Sequence, residues 1–350
     1  MAPRACILGC EGLTLEAEER AFFRELKPWG FILFARNVGS DDQLRALTDA
    51  LREAVDDEAA PIFIDQEGGR VQRLKPPLAR LRRPAALFGQ LYRHDPEAAV
   101  EAVTLNHRLL AHELLSVGVD ADCAPCVDLL HPGAHGIIGD RAYGDDPSLV
   151  AALGRAACDG LLAGGVAPVI KHIPGHGRAK VDSHLGLPVV DTSVEELEQT
   201  DFAPFRAVAD APMAMTAHVV YSDVDPECAT VSHRAIETVI RGLIGFDGLL
   251  MSDDLSMKAL GGDLADRARR SIEAGCDVVL HGNGALVGEP VRDLRGELRA
   301  VAEASPELSG RALERADAAR AVTRRYQDFD PEAAEARLAS LGLEGRTALG

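Results

Sequence analysis

Between Lys171 and Pro188 the chain reads KHIPGHGRAKVDSHLGLP, and these eighteen residues hold three histidines, two lysines, one aspartate and three glycines. Imidazole and carboxylate groups in one short segment suit general acid–base work, because histidine titrates near neutral pH and an adjacent carboxylate favours its charged form. Pro174-Gly175 and Gly177 exclude a helix, so the segment is read as a loop. It follows the apolar run Val166–Ile170, read as a buried strand, so the titratable groups are expected just past a strand end.

Apolar runs at 5–9, 30–34, 61–64, 118–127, 166–170, 212–216, 248–251 and 276–280 alternate with helical patterns, including 16–27, 41–55, 95–116, 232–243 and 264–274. Asp95-Pro96 and Asp146-Pro147 each place a capping aspartate before a proline at the first helical position. Ser193 with Glu196 predicts a capping box for a helix reaching about Ala209. A long loop is expected from Arg70 to Asp95. Eight strand–helix pairs predict an α/β fold of the (β/α)8 TIM-barrel type, a single domain over residues 1–305. Residues 306–350 read as a C-terminal helical extension packed on the barrel, with 344–350 as a frayed tail.

In such barrels the active site lies at the carboxyl ends of the strands. Those ends carry Asp65, Asp128, Lys171, His172, His218, Asp253, Asp254 and His281. Burying so many polar and charged groups without partners would cost several kcal/mol each, on the order of a whole domain's stability, so packing alone does not account for the ring. Arginines 80, 82 and 83 in KPPLARLRRP read as a solvated loop rather than a phosphate track.

With 55 acidic against 37 basic residues the net charge is −18, which opposes binding to nucleic acid or to an anionic membrane surface. No run approaches the roughly 18 apolar residues that a membrane span needs. Seven cysteines, an odd number set mostly in apolar runs, suit reduced core thiols and a cytoplasmic location. Cys123 and Cys126 have CxxC spacing but lack a second pair for zinc. Only nine residues precede Cys10 in ILGC, too few for a lipoprotein leader, so that stretch reads as the first strand.

KHIPGHG followed by Asp182-Ser183-His184, with DQEGGRVQR at 65–73, IGDRAYG at 138–144 and MSDDLSM at 251–257, resembles glycoside hydrolase family 3. Within it the chain is most similar to the single-domain bacterial β-N-acetylglucosaminidases of peptidoglycan recycling. The motifs occur in order over roughly residues 5–300. The resemblance implies a retaining exo-glycosidase with Asp253 as nucleophile, His184 as general acid/base and Asp182 as the partner of His184. It implies Asp65, Arg73, Arg141, Lys171 and His172 as sugar-binding residues. The implied substrate is N-acetylglucosamine linked β-1,4 to 1,6-anhydro-N-acetylmuramic acid, with or without peptide. No cofactor or metal is expected, and the chain is expected to act as a monomer on a small molecule.

Retaining glycosidases usually place two carboxylates about 5 Å apart. A histidine donor departs from that pattern, and Asp182 would keep His184 protonated enough to donate at neutral pH. Gly175 and Gly177 shape the turn around His176, which is read as a hydrogen-bonding residue rather than an acid; Asp254 is read as a rim or helix-start acceptor. No role is assigned to His131, His135 or His218. Four other readings remain open: a phosphorylase of the same fold, a β-glucosidase, a metal-dependent hydrolase using His172, His176 and His184, and a sugar-binding barrel without turnover.

Overall fold

The computed structural model describes residues 2–133, 136–179, 186–257, 259–283 and 293–343. Eight parallel strands close a barrel: β1 (Arg4–Leu8), β2 (Pro28–Leu33), β3 (Ile62–Ile64), β4 (Ala121–Asp122), β5 (Ala167–Ile173), β6 (Met213–Thr216), β7 (Leu249–Asp254) and β8 (Val278–His281). Each pairs with its neighbours in chain order, and β8 returns to β1 with Leu8 opposite His281. Alternation turns Ile7, Phe63, Val169, Met215, Met251 and Val278 into one interior cluster. The opposite faces, including Leu8, Ile64 and Leu250, pack under the helices.

Helices α1 (Ala17–Leu26), α2 (Asp41–Val55), α3 (Ala85–Tyr92), α4 (Pro96–Ser116) and α5 (Pro147–Ala163) cover the first half. Both aspartate–proline starts are realised, with Asp95 accepting from Ala98 N and Asp146 from Ser148 N. The second half carries α6 (Val194–Gln199), α7 (Phe202–Ala207), a nine-residue π-helix (Ala235–Leu243), α8 (Leu264–Ala274) and α9 (Leu294–Ala304).

Four local expectations need correction. The loop expected between Arg70 and Asp95 contains α3 and is preceded by a small hairpin of Gln66–Gly68 with Val71–Gln72. The helix expected from Ser193 to about Ala209 is two short helices, broken at Thr200-Asp201, where Asp201 turns inward to meet His131 and Arg178. Strand β5 runs to Ile173, so Lys171 and His172 lie within it rather than past its end. Arg82 is buried, not solvated, because Glu113 and Glu335 pair with it.

The amino-terminal end of the barrel is closed by the end of the chain. Leu308 N donates to Pro3 O, Ala5 N to Pro306 O, and Arg4 reaches the carbonyls of Ala302 and Ser305. Beyond them lie α10 (Gly310–Ala321), whose Ala316 and Ala319 join the interior cluster, and α11 (Pro331–Ser340), which packs on α4. Residues 344–350, expected to fray, lie outside the described residues.

Asp120, just before β4, knots this end together. Its carboxylate accepts from Ile62 N (2.8 Å), Arg52 Nη2 (3.0 Å) and Arg324 Nε (3.0 Å). Removing one member of a buried ion pair strands the other charge, which costs roughly 3–5 kcal/mol. Asp120→Ala is therefore expected to destabilise the chain by about that amount; denaturant unfolding that shows a loss below about 1 kcal/mol would contradict this account of the closure.

Candidate active site

The carboxyl ends of β3, β4, β5 and β7 bring one charged lattice together. Lys171 is only 2 % exposed, and its ammonium lies 2.9 Å from Asp65 Oδ1 and 2.6 Å from Glu67 Oε1. Asp65 also accepts from Arg73 Nη2 at 2.9 Å. Glu67 is gripped bidentately by Arg141, at 2.9 and 2.8 Å, from the 3-10 turn Gly139–Arg141. Asp65 and Glu67 are two residues apart in an extended segment, which turns both carboxylates to one side. That spacing in DQEGG was the available signal for Glu67, a residue to which sequence reasoning gave no role.

Burial alone would raise the Asp65 carboxyl, but Lys171 and Arg73 outweigh it and hold the group well below the usual carboxylate range. Burial likewise acts against Glu67, and Arg141 and Lys171 bring it down to about 2. Burial would discharge Lys171, yet Asp65 and Glu67 push its ammonium well above the ordinary lysine value. All three groups are therefore charged at neutral pH.

A second chain of contacts joins β4 to β5. The register of β5 on β6 slips between Lys171 and Ile173, which lets Lys171 meet Asp65 while His172 turns to Asp128. His172 Nδ1 donates to Asp128 Oδ2 at 2.7 Å, and Nε2 lies 3.4 Å from Arg141 Nη2. Asp128 Oδ1 accepts from His176 N at 2.6 Å. Burial would raise the Asp128 carboxyl, but His172 and then His176 hold it well below its ordinary value. Gly177 is required here by close approach, since a Cβ would sit 2.0 Å from Leu129 O. Burial and then His172 push the His176 imidazole down to about 4, which fits a neutral hydrogen-bonding residue.

Cys126, Asp128 and His172 are the group whose ligand atoms fall within 4.8 Å of one another among the described residues. Cys126 Sγ donates to Asp128 at 3.3 Å, and burial keeps this thiol protonated. Its CxxC partner Cys123 instead joins the barrel interior.

Asp253 and Asp254 end β7. Asp254 N donates to Asp253 Oδ1 at 2.7 Å, and the Asp253 charge acts on the buried imidazoles of His176 and His218. His218 is fixed by Thr230 Oγ1 (2.7 Å) and the Asp254 carbonyl (3.3 Å), and burial lowers its pKa. Asp254 is an acceptor as expected, of Ser256 N; its half-buried carboxylate also faces His281. Glu297 of α9, which sequence reasoning missed, contacts the other side of His281 at 3.2 Å.

The structure thus assembles Asp65, Arg73, Arg141, Lys171 and His172 into one contiguous set. Asp182 and His184 lie outside the described residues, as does His135. Arg73, Arg141 and Lys171 share the two carboxylates of Asp65 and Glu67, while Asp128 pairs with His172, so donors and acceptors of fixed direction alternate across the set. Arg73 Nε is a buried donor with no hydrogen-bond partner among the described residues.

Glu67→Gln keeps the shape but removes the charge shared by Arg141 and Lys171. A roughly tenfold rise in KM is expected, about 1.4 kcal/mol of lost binding. The folded value of about 2 lies below the ordinary 4.5, so the stability contributed by Glu67 is fully present above about pH 4.5 and lost as pH falls through 2. Thermal unfolding between pH 6 and pH 2 should therefore show a shallower acid loss in Glu67→Gln than in the wild type, and equal slopes would sink the assignment.

The sequence profile described as the N-terminal domain of glycosyl hydrolase family 3 matches residues 9–310. A β-hexosaminidase of Alkalilimnicola ehrlichii is 44% identical over 281 residues, covering 78% of this chain and 79% of that one. One from Xanthomonas euvesicatoria is 40% identical over 294 residues, covering 83% and 87%. Among solved structures, native NagZ from Neisseria gonorrhoeae superposes with a TM-score of 0.78 at 34% identity, covering 97% of this chain and 98% of that one. A family 3 β-N-acetylglucosaminidase from Paenibacillus gives 0.82 at 29% identity, covering 96% and 66%. With its motifs gathered at the mouth of a closed parallel barrel, the chain belongs to glycoside hydrolase family 3.

Proposed function

We propose that this glycoside hydrolase is a retaining exo-β-N-acetylglucosaminidase that removes terminal N-acetylglucosamine from β-1,4-linked 1,6-anhydro-N-acetylmuramic acid, with or without its stem peptide. The observation that carries this reading is the ion-paired lattice of Asp65, Glu67, Arg73, Arg141 and Lys171 beside an aspartate at the end of β7. The β-hexosaminidase relatives support it, as does a gonococcal NagZ structure holding N-trifluoroacetyl-D-glucosamine, an N-acylated amino sugar.

In the proposed mechanism Asp65, Arg73, Arg141, Lys171 and His172 hold the sugar's hydroxyls and acetamide. Charge-assisted hydrogen bonds from fixed cations orient it. Asp253 attacks the anomeric carbon while His184, assisted by Asp182, protonates the departing glycosidic oxygen. Water then loses a proton to His184 as it displaces the aspartyl ester, which restores Asp253 and leaves the anomeric configuration retained.

We place the reaction in the cytoplasm and in a monomer, on a small amino-sugar substrate. Seven buried, free thiols fit a reducing compartment. Among the described residues no helix is long and apolar enough to cross a membrane.

Release of nitrophenol from 4-nitrophenyl N-acetyl-β-glucosaminide, in phosphate-free buffer with a chelator, tests this reading. The wild type is expected to turn over with the β-anomer as first product, and Asp253→Ala to lose at least about three orders of magnitude in kcat. Sugar 1-phosphate formed on adding phosphate would point to a phosphorylase, and preference for the plain glucoside to a β-glucosidase. Loss of turnover under chelation would indicate a metal enzyme.

A further inference from the structure

We propose that His281 is a positioning residue for Asp253: its ring, held between Asp254 and Glu297, fixes the end of β7 to the end of β8 and compensates the acidic charge beside the nucleophile. The proposal rests on the reading of Asp253 as nucleophile.

His281 is the last residue of β8 and is wholly buried. Its Nδ1 lies at ion-pair distance, 3.3 Å, from Asp254 Oδ1 without a hydrogen bond among the described residues, and its Nε2 lies 3.2 Å from Glu297 Oε2 in the first turn of α9. Glu297 is itself fixed by Asn283 Nδ2 at 2.7 Å. On the other side Asp254 takes Ser256 N at 2.9 Å and Gly282 N at 3.3 Å. The main-chain N–H of the same Asp254 donates to Asp253 Oδ1. A continuous line therefore runs from α9 through the imidazole and Asp254 to the carboxylate that would attack the sugar.

Electrostatics call for a cation at this point. Asp253, Asp254 and Glu297 bring three carboxyl groups to one corner of the barrel mouth, and like charges in a low-dielectric site oppose one another's ionisation. Arg36, on the 3-10 turn Ala35–Asn37, also interacts electrostatically with Asp254. Its guanidinium is engaged by the carbonyls of Cys10, Gly282 and Asn283. Glu19 of α1 lies beyond Arg36 and adds negative charge. His218 meets only the carbonyl of Asp254, and burial keeps it neutral. This leaves His281 as the cation in direct contact with the Asp254 carboxylate among the described residues. Burial acts against its charge, but contacts with Asp254 and Glu297 raise it to about 9, while Asp254 is held down to about 2.

The test compares wild type and His281→Gln, which can still donate one hydrogen bond but carries no charge. Turnover of 4-nitrophenyl N-acetyl-β-glucosaminide and thermal unfolding are followed from pH 4.5 to 9.5. The variant is expected to lose about tenfold or more in kcat with KM changed less than about threefold, the pattern of a lost transition-state effect. The acid limb of its kcat profile should move up by about one unit, because the Asp254 charge now opposes its neighbour. The folded value of about 9 exceeds the ordinary 6.5, so the stability contributed by His281 is fully present below about pH 6.5 and lost as pH rises through 9. The wild type should therefore lose Tm between pH 7 and 9.5, and His281→Gln should lose less.

A folded His281→Gln with unchanged kcat and acid limb would overturn the proposal. So would lost kcat with an unmoved acid limb, since a purely structural role predicts that. Should His281→Gln not fold, Glu297→Gln keeps the imidazole and is expected to bring the alkaline fall in Tm and kcat down by about one unit; no movement would overturn the proposal. A wild type without turnover would overturn the nucleophile reading first, and is thereby distinguished from an active wild type whose variant is indifferent.

Discussion

An ammonium group buried at the mouth of a parallel barrel has to be surrounded by carboxylates, and the geometry of this site follows from how Lys171 meets that demand. Asp65 and Glu67 approach it from the third strand end, and each then needs a further cation: Arg73 for the first, Arg141 for the second. The loops after β3 and β4 are thereby tied to β5 before any ligand arrives. Such pairs add little net stability, because desolvation offsets the attraction, but breaking one is costly. What the arrangement provides is fixed direction. Donors already oriented need no reorganisation when the reaction demands them.

The same principle acts at the other end of the barrel with a different result. There Asp120 joins Arg52 and Arg324, and the exchange of main-chain hydrogen bonds between Pro3, Ala5, Pro306 and Leu308 closes the floor. Every bond of that knot runs within the protein. At the mouth the network centres on Lys171 with Asp65 and Glu67, and His172 Nε2 meets Arg141. Two ionic networks of similar burial thus divide the molecule into a face that holds and a face that binds, the division expected of barrel enzymes.

The barrel was legible because eight apolar runs and their helices carry their own periodicities, and because Asp95-Pro96 and Asp146-Pro147 act within a few residues of themselves. Helix α3 was not. It begins after a proline-rich stretch and carries Gly89 at its centre, which lowers helix propensity; the glycine is there because a Cβ would sit 1.6 Å from Tyr143 O, a contact 54 positions away in the chain. The extent of β5 was hidden for a related reason. Lys171 and His172 end an apolar run when read locally, and only Asp65, Glu67 and Asp128, contributed by other strand ends, allow a lysine and a histidine to stay inside the sheet. Arg82 was misread in the same way, since its partners Glu113 and Glu335 lie 31 and 253 residues distant. Local propensity and motif order carry over to structure; the neutralisation of a buried charge does not, because its partner can lie anywhere along the chain.

Charge neutralisation also separates two kinds of work within the site. The strand ends β3 to β5 interleave cations with carboxylates, so a sugar held there as proposed would meet donors and acceptors already oriented. The ends of β7 and β8 concentrate acidic groups at Asp253, Asp254 and Glu297 around one imidazole. A developing oxocarbenium ion is positively charged, and an acidic corner stabilises it in a way that a neutral one cannot. Substrate ground state and transition state thus differ in charge, and the two halves of the mouth differ in the same sense. If the proposed mechanism holds, binding strength can be set on one side of the barrel and rate on the other, with Lys171 and Asp253 as the respective centres.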